Sequence, residues 1–149
     1  MNKIMLAIAY VGIAAGSATA ADQTFGRTKI PDAKGKHTSV GLVFRDSRNA
    51  LEVRAAGQVI AQIPYSSIHE LSYEHTQKHR ITQGAVVMVA SLGAGAVVML
   101  TKSKSHFLTV EYDDGTAFKE LVLRMDKSEY RGILATAKLQ TGKNVTLVR

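Results

Sequence analysis

The feature that most constrains this chain is a charge-free apolar segment in its interior. Residues 81–101 contain no Asp, Glu, Lys or Arg, and strand-like patterns lie on both sides of them. As a helix the segment would be about 31 Å long, close to the roughly 30 Å of a bilayer hydrocarbon core. A single crossing, however, would separate the flanking strands, and strands on opposite sides of a membrane cannot share one sheet.

Three arrangements of this segment stay open at this point: a membrane-embedded helix, a shallow hairpin that turns at Gly93–Gly95, or an element packed inside the protein or an oligomer. Residues 85–88 recur as residues 96–99, eleven positions on, which places both copies on one side of a helix. Ser91 and Gly95 form a small-xxx-small pair that permits close helix packing. Exposed to water, the segment would promote aggregation. We therefore expect lipid, the rest of the protein or a partner subunit to bury it.

Basic residues flank the segment on both sides, which suits two ends at the same anionic surface. We therefore expect the apolar side chains to enter a membrane or contact a partner subunit, and the basic flanks to bind lipid headgroups. The predicted apolar contacts are Val86, Val87, Met88, Val97, Val98 and Met99. The predicted headgroup-binding residues are Lys78, Arg80, Lys102 and Lys104.

The N-terminus has the pattern of a secretory signal peptide. Lys3 precedes an apolar run over residues 4–15, and Ala18 and Ala20 form an A-x-A cleavage pattern. We expect cleavage after Ala20 and export to the periplasm or cell envelope of a bacterium, where the protein would be membrane-associated. The chain has no cysteine, which excludes disulfides, thiolate metal sites and cysteine nucleophiles.

The formal net charge of +7 suits anionic lipid surfaces or other anionic envelope polymers. Nucleic acid is not an expected partner. Exported proteins seldom meet it, and no basic run is interleaved with aromatic residues that could stack on bases.

Beyond the signal peptide, residues 21–37 are polar and predict a flexible leader or a first irregular strand. Alternating apolar residues then predict four strands at meander spacing between residues 38 and 75. The hydrophobic insert is assigned to residues 82–101. Two further strands follow it, joined by a turn at Asp113–Gly115.

An amphipathic helix closes the predicted domain. Its apolar stripe recurs at helical spacing, and Gly142 marks its end. Asp126 and Glu129 have the spacing of a capping box at its start. Residues 146–149 are left as a C-terminal tail. The stripe consists of Tyr130, Ile133, Leu134 and Ala137.

Three stretches, "IPYSSI" at residues 63–68, "FLTVEYDDG" at 107–115 and "LQTGK" at 139–143, make residues 38–145 resemble a bacterial PH-like or GRAM-like domain. The resemblance implies a mainly β fold: an antiparallel β-barrel or sandwich closed by a C-terminal amphipathic helix, here with an inserted hydrophobic helix or hairpin. Eukaryotic relatives often bind phosphoinositides through basic loop residues. The matching loop contains Arg45 and Arg48, with Asp46 and without a lysine cluster.

No residue pattern predicts catalysis. His75 and His79 are weak metal-ligand candidates, since on a helix they would share one face. We expect no cofactor and an exported, non-enzymatic module for interaction or scaffolding at a membrane, with lipid and a second copy of the chain as partners. The alternatives are a carrier of a lipid or apolar ligand, a soluble homo-oligomer subunit, and a metal-dependent enzyme using the two histidines.

Overall fold

A computed structural model describes residues 21–31, 37–80, 86–87 and 98–149; for residues 78–80, 86–87 and 98–102 it describes the backbone. The described chain is mainly β, as expected. Its strands are β1 (Gln23–Pro31), β2 (His37–Arg45), β3 (Ala50–Ala55), β4 (Gln58–Pro64), β5 (Ile68–Arg80), β6 (Val86–Val87), β7 (Val98–Asp113), β8 (Phe118–Met125) and β9 (Val145–Val148). A 3-10 turn (Tyr65–Ser67) precedes β5, and one helix, α1 (Tyr130–Thr141), follows β8.

The described strands form one sheet in the order β4-β3-β2-β1-β8-β7-β5-β9, with the two-residue β6 paired to β8. Neighbours along the path are antiparallel except β5 and β9. The sheet is open, with β4 and β9 as its described edges, so the prediction of a closed barrel is wrong for the described residues. The physical reason lies at the C-terminus. β9, most of which was predicted to be a tail, pairs along β5 and occupies the edge that closure onto β4 would need.

β1 forms within the segment predicted to be a flexible leader, and the alternative of a first strand is the correct one. It pairs with β2 along most of its length, and Thr28 and Lys29 also pair with Met125 and Arg124 of β8. The side chains of Thr28 and Ile30 are 0% exposed. The sequence of β1 shows little alternation of apolar and polar residues, because Ile30 is the single aliphatic core residue of this strand.

Helix α1 lies where the apolar stripe predicts it, with Ile133 and Ala137 buried against the sheet. Its C-terminus is also as predicted: Gly142 has a left-handed backbone, and its N–H donates to the carbonyl of Lys138. The predicted capping box is wrong. Asp126 accepts from the backbone N–H of Ser128, and Glu129 Oε2 accepts from the backbone N–H of Arg27 at 2.9 Å.

The strands that flank the apolar segment reach further into it than predicted. β5 runs to Arg80 and β7 begins at Val98, and these two residues are directly paired. A continuous helix over residues 82–101 is wrong at Val86–Val87, which pair with β8, and at 98–101, which belong to β7. Residues 81–85 and 88–97, including Met88 and Val97, lie outside the described residues. None of the helical structure in the described part of the chain has the length and apolar character that a membrane crossing requires.

Because β1 is part of the core, truncating Ile30 should destabilise the protein. We expect Ile30→Ala to lower the free energy of unfolding by about 2–5 kcal/mol, the usual range for a buried aliphatic side chain. Val59→Ala, at a position 47% exposed on β4, is the matched control and should cost less than about 0.5 kcal/mol. Urea unfolding measures both. Equal effects would show that β1 does not contribute to the core.

Candidate functional site

A two-stranded ribbon projects from the sheet where β8 ends. The pairing of β7 with β8 ends at His106 and Met125, whereas β5 and β7 stay paired to Arg80 and Val98. We call residues 76–80 and 98–105 the ribbon. Both ends of the intervening apolar stretch therefore leave from its tip, on neighbouring antiparallel strands.

The foot of the ribbon carries a large bulge. Between the pairs Thr76–Ser105 and Lys78–Leu100, β7 has four residues, 101–104, against the single residue 77 of β5. Bulges bend a strand and redirect its side chains. This bulge carries Ser103 and Lys104 into the lining of a pocket at the ribbon's foot.

The pocket has a volume of about 390 Å³, within the range of small-molecule sites. It forms where the second half of β1, the end of β8, the turn before α1 and the ribbon meet. Cationic side chains dominate its lining. The residues around it are Arg27, Lys29, His75, Ser103, Lys104, Ser105, His106, Arg124, Met125, Asp126 and Lys127. We call this the basic pocket.

Five of these lining residues carry a fixed positive charge and one carries a negative charge. The negative residue is Asp126, whose carboxylate is already engaged by the backbone N–H and hydroxyl of Ser128. The Ser128 hydrogen bonds hold the pKa of Asp126 below its usual value, and the charges of Arg27 and Lys127 lower it further. Ion pairs among the described residues are formed by cations outside this pocket, which include Arg45, Arg48, Arg54 and Lys119.

Stacked rings form one wall of the basic pocket. His75 and His106 are cross-strand neighbours whose rings stack at 4.3 Å, and His106 also stacks on Tyr130 at 3.8 Å. The Tyr73 hydroxyl lies 2.7 Å from His106 Nδ1. In a neutral imidazole this hydroxyl can donate to Nδ1, and we assign the ring proton to Nε2 accordingly. Partial burial lowers the pKa of His106, and the nearby charges of His75 and Arg131 lower it further.

Of the predicted headgroup-binding residues, Lys104 lines the basic pocket. Lys78, Arg80 and Lys102 lie on the ribbon, where their backbones are described and their side chains are not. Among the predicted apolar contacts, Val86 and Val87 form β6, and Val98 and Met99 begin β7 at the tip of the ribbon. The ribbon therefore brings together the basic flanks and part of the apolar set.

The helical spacing that suggested metal binding is absent. His75 and His79 both lie on β5, where residues four apart are separated by about 13 Å, too far to hold one ion. His75 instead stacks on His106. Among the described side chains, no group of three or more His, Cys, Asp or Glu residues is placed to hold a metal ion.

The loop suggested by the family resemblance is electrostatically neutralised. Glu52, whose side chain is 1% exposed, forms ion pairs with Arg45, Arg48 and Arg54. Arg45 also pairs with Asp22 at 2.7 Å. Burial raises the pKa of Glu52, but hydrogen bonds from Arg54 and Arg45 outweigh burial and bring its pKa below its usual value. This loop is a less suitable anion site than the basic pocket.

No sequence pattern predicts four of the cations in the basic pocket as site residues: Arg27, Lys29, Arg124 and Lys127. They come from both ends of the chain and form no linear motif. The excess positive charge of the whole chain was the available signal, and it does not locate a site. No protein-family model matches this chain, and no curated protein matches it significantly.

The lowered pKa of His106 predicts a loss of stability in mild acid. The unfolded chain takes up a proton near the ordinary histidine pKa of about 6.5, whereas the native state takes it up at lower pH. The contribution is therefore complete above about pH 6.5 and declines as the pH falls towards the native pKa. His106→Phe keeps a stacked ring without the titration, so its urea midpoint should fall less between about pH 7.5 and about pH 5. Parallel curves for the two proteins would contradict the assignment.

Proposed function

We propose that this protein is an exported, non-enzymatic PH-like module that associates with an anionic membrane surface through its ribbon and acts there in interaction or scaffolding. One observation carries the proposal: both ends of the apolar stretch leave from the tip of a ribbon whose foot is lined by five cations. The proposed apolar anchor is thus connected to the domain through the same projection that carries the cationic contact. This combination suits a lipid interface.

The free energies expected for the basic residues and for the apolar residues suggest different roles for the two groups. A Lys or Arg near an anionic membrane contributes about 1 kcal/mol and is screened within about 10 Å at ordinary salt. Several such residues reinforce membrane association but do not replace burial of apolar side chains at about 0.8 kcal/mol per methylene. We therefore assign anchoring to the apolar residues and orientation to the basic foot.

The strand order supports the PH-like resemblance. A four-strand meander, β4-β3-β2-β1, adjoins a three-strand meander, β8-β7-β5, and α1 packs on the core between them. The resemblance extends further towards the N-terminus than residue 38, because β1 joins the two meanders. The open edge is compatible with a scaffolding role, since unpaired strand edges can accept further strands.

A second candidate, a homo-oligomer subunit, is favoured by the described sheet edges. Val59 and Ile60 on β4 are 47% and 44% exposed, and Leu147 and Val148 on β9 are 57% and 44% exposed. Light scattering in detergent-free buffer tests this candidate. A mass above that of the monomer, reduced by Ile60→Lys, would support it.

The membrane proposal predicts that charges placed in the apolar stretch and at its junction with the ribbon abolish vesicle binding. We expect Val87→Asp/Val98→Asp to lose most of its co-sedimentation with vesicles of phosphatidylcholine and phosphatidylglycerol, because each buried charge opposes insertion by about 2.5–3.5 kcal/mol. Val59→Asp/Ile60→Asp is the matched control: it adds the same two charges at exposed positions of β4 and should leave binding unchanged.

Cooperative thermal unfolding must first show that both double variants are folded. If the folded ribbon variant still sediments with vesicles as the wild type does, the apolar stretch is not the anchor. Equal loss in the β4 control would show that net charge, and not the ribbon, determines binding.

A further inference from the structure

We infer that the basic pocket is a specific binding site for the dianionic phosphate group of a terminal phosphomonoester. It is not a basic surface that attracts any anion. This inference rests on the proposed function for its membrane setting and names the ligand class of that same site. The monoester group could belong to a lipid headgroup or to a small soluble phosphate. The chemistry recognised is the same in both.

The charge balance of the pocket favours a dianion. Five fixed cations surround a volume of about 390 Å³ whose single carboxylate is engaged by Ser128. Like charges gathered around a cavity repel one another, and a ligand with two negative charges relieves this repulsion more than a monoanion does. A phosphomonoester carries between about 1.5 and 2 negative charges near pH 7, whereas a phosphodiester carries one.

The directions from which the cations approach favour a terminal phosphate group. Arg27 and Lys29 come from β1, Lys104 comes from the ribbon bulge, and Arg124 and Lys127 come from the end of β8 and the following turn. A monoester has three non-bridging oxygens, one for each of these three elements. A diester has two such oxygens, one fewer than the number of elements that supply cations.

Two of these residues are held in place before any ligand arrives. Arg124 Nε donates to the Ser105 hydroxyl at 3.1 Å, and Ser105 is 6% exposed. The terminal nitrogens of Arg124 are then the ones that can meet a ligand, in the forked geometry that suits phosphate oxygens. The backbone of Arg27 is fixed by its N–H donation to Glu129. Such preorganisation lowers the entropic cost of binding.

The histidine wall adds a neutral donor to this set. With the Tyr73 hydroxyl on Nδ1, the His106 ring proton is on Nε2 and can be donated. The groups around His106 come from several elements. On β5 they are Tyr73 and His75, and on α1 they are Tyr130 and Arg131. Lys104 and Asp126 lie beside it in the pocket lining. A phosphate bound here would meet the fixed charges and the neutral imidazole of His106, which lines the pocket.

Calorimetric titration of the full mature chain with methyl phosphate and with dimethyl phosphate tests the inference. We expect saturable binding of methyl phosphate at one site, and binding of dimethyl phosphate at least about tenfold weaker. Lys104→Gln and Arg124→Gln should each weaken methyl phosphate binding by about tenfold, since each removes a charge-assisted hydrogen bond. Arg48→Gln removes the same charge from the Glu52 cluster and should change nothing.

Charge-matched vesicles containing phosphatidate or phosphatidylglycerol distinguish the two sources of the monoester. Stronger binding to phosphatidate vesicles that methyl phosphate competes away would assign the site to a lipid headgroup. Methyl phosphate binding without any preference between the vesicles would assign it to a soluble phosphate. Lys104 is exposed, so its variant remains informative if Arg124→Gln fails to fold.

Equal affinity for the two soluble probes, or equal weakening by Arg48→Gln and Lys104→Gln, would overturn the inference. So would binding of single-stranded DNA that methyl phosphate does not displace, because that would indicate a polyanion surface. If methyl phosphate does not bind but vesicles still do, the inference fails and the proposed function stands. If methyl phosphate binds but no vesicle does, the proposed function fails and the phosphate site stands.

Discussion

The backbone pairing of Thr28 and Lys29 with Met125 and Arg124 joins the two halves of the sheet. β1 thus belongs to both meanders, and Ile30 contributes to the shared core. The same register places Lys29 opposite Arg124, beside the basic pocket. The hydrogen bond from Arg27 N–H to Glu129 ties the start of α1 to this junction. The fold and the candidate site therefore depend on the same short contact between strands that lie far apart in sequence.

The ribbon resolves the apparent conflict between an apolar segment and an intact domain. Because Arg80 and Val98 are paired, the flanking strands continue one sheet and do not need to be separated. The segment leaves and rejoins the domain on neighbouring strands, and within it Val86 and Val87 pair with β8. The bulge at residues 101–104 bends this hairpin where it leaves the sheet, and the basic side chains of the pocket gather at that bend.

Local patterns made part of this structure predictable. Helix α1 follows from the spacing of its apolar residues, and the turn at Asp113–Gly115 follows from side-chain hydrogen bonding, in which Asp114 accepts from the N–H groups of Thr116 and Ala117. Residues 21–37 were predicted as a leader or a first strand, and the pairing of β9 was not predicted, because the partner strands of β1 and β9, not their own apolar content, hold them in the sheet. The basic pocket was missed for a similar reason, since pairing across about a hundred residues assembles it.

The cations around Glu52 and those of the basic pocket differ in how their charge is compensated. In the first group, Arg45, Arg48 and Arg54 form ion pairs with the buried carboxylate of Glu52. Their positive charge is therefore partly compensated within the protein. In the basic pocket, Asp126 is engaged by Ser128. Counting charges along the sequence cannot separate these cases, because the difference lies in whether a carboxylate is buried among the cations. A cationic pocket without such a carboxylate retains unrelieved repulsion between its charges, which is the physical basis for the proposed anion site.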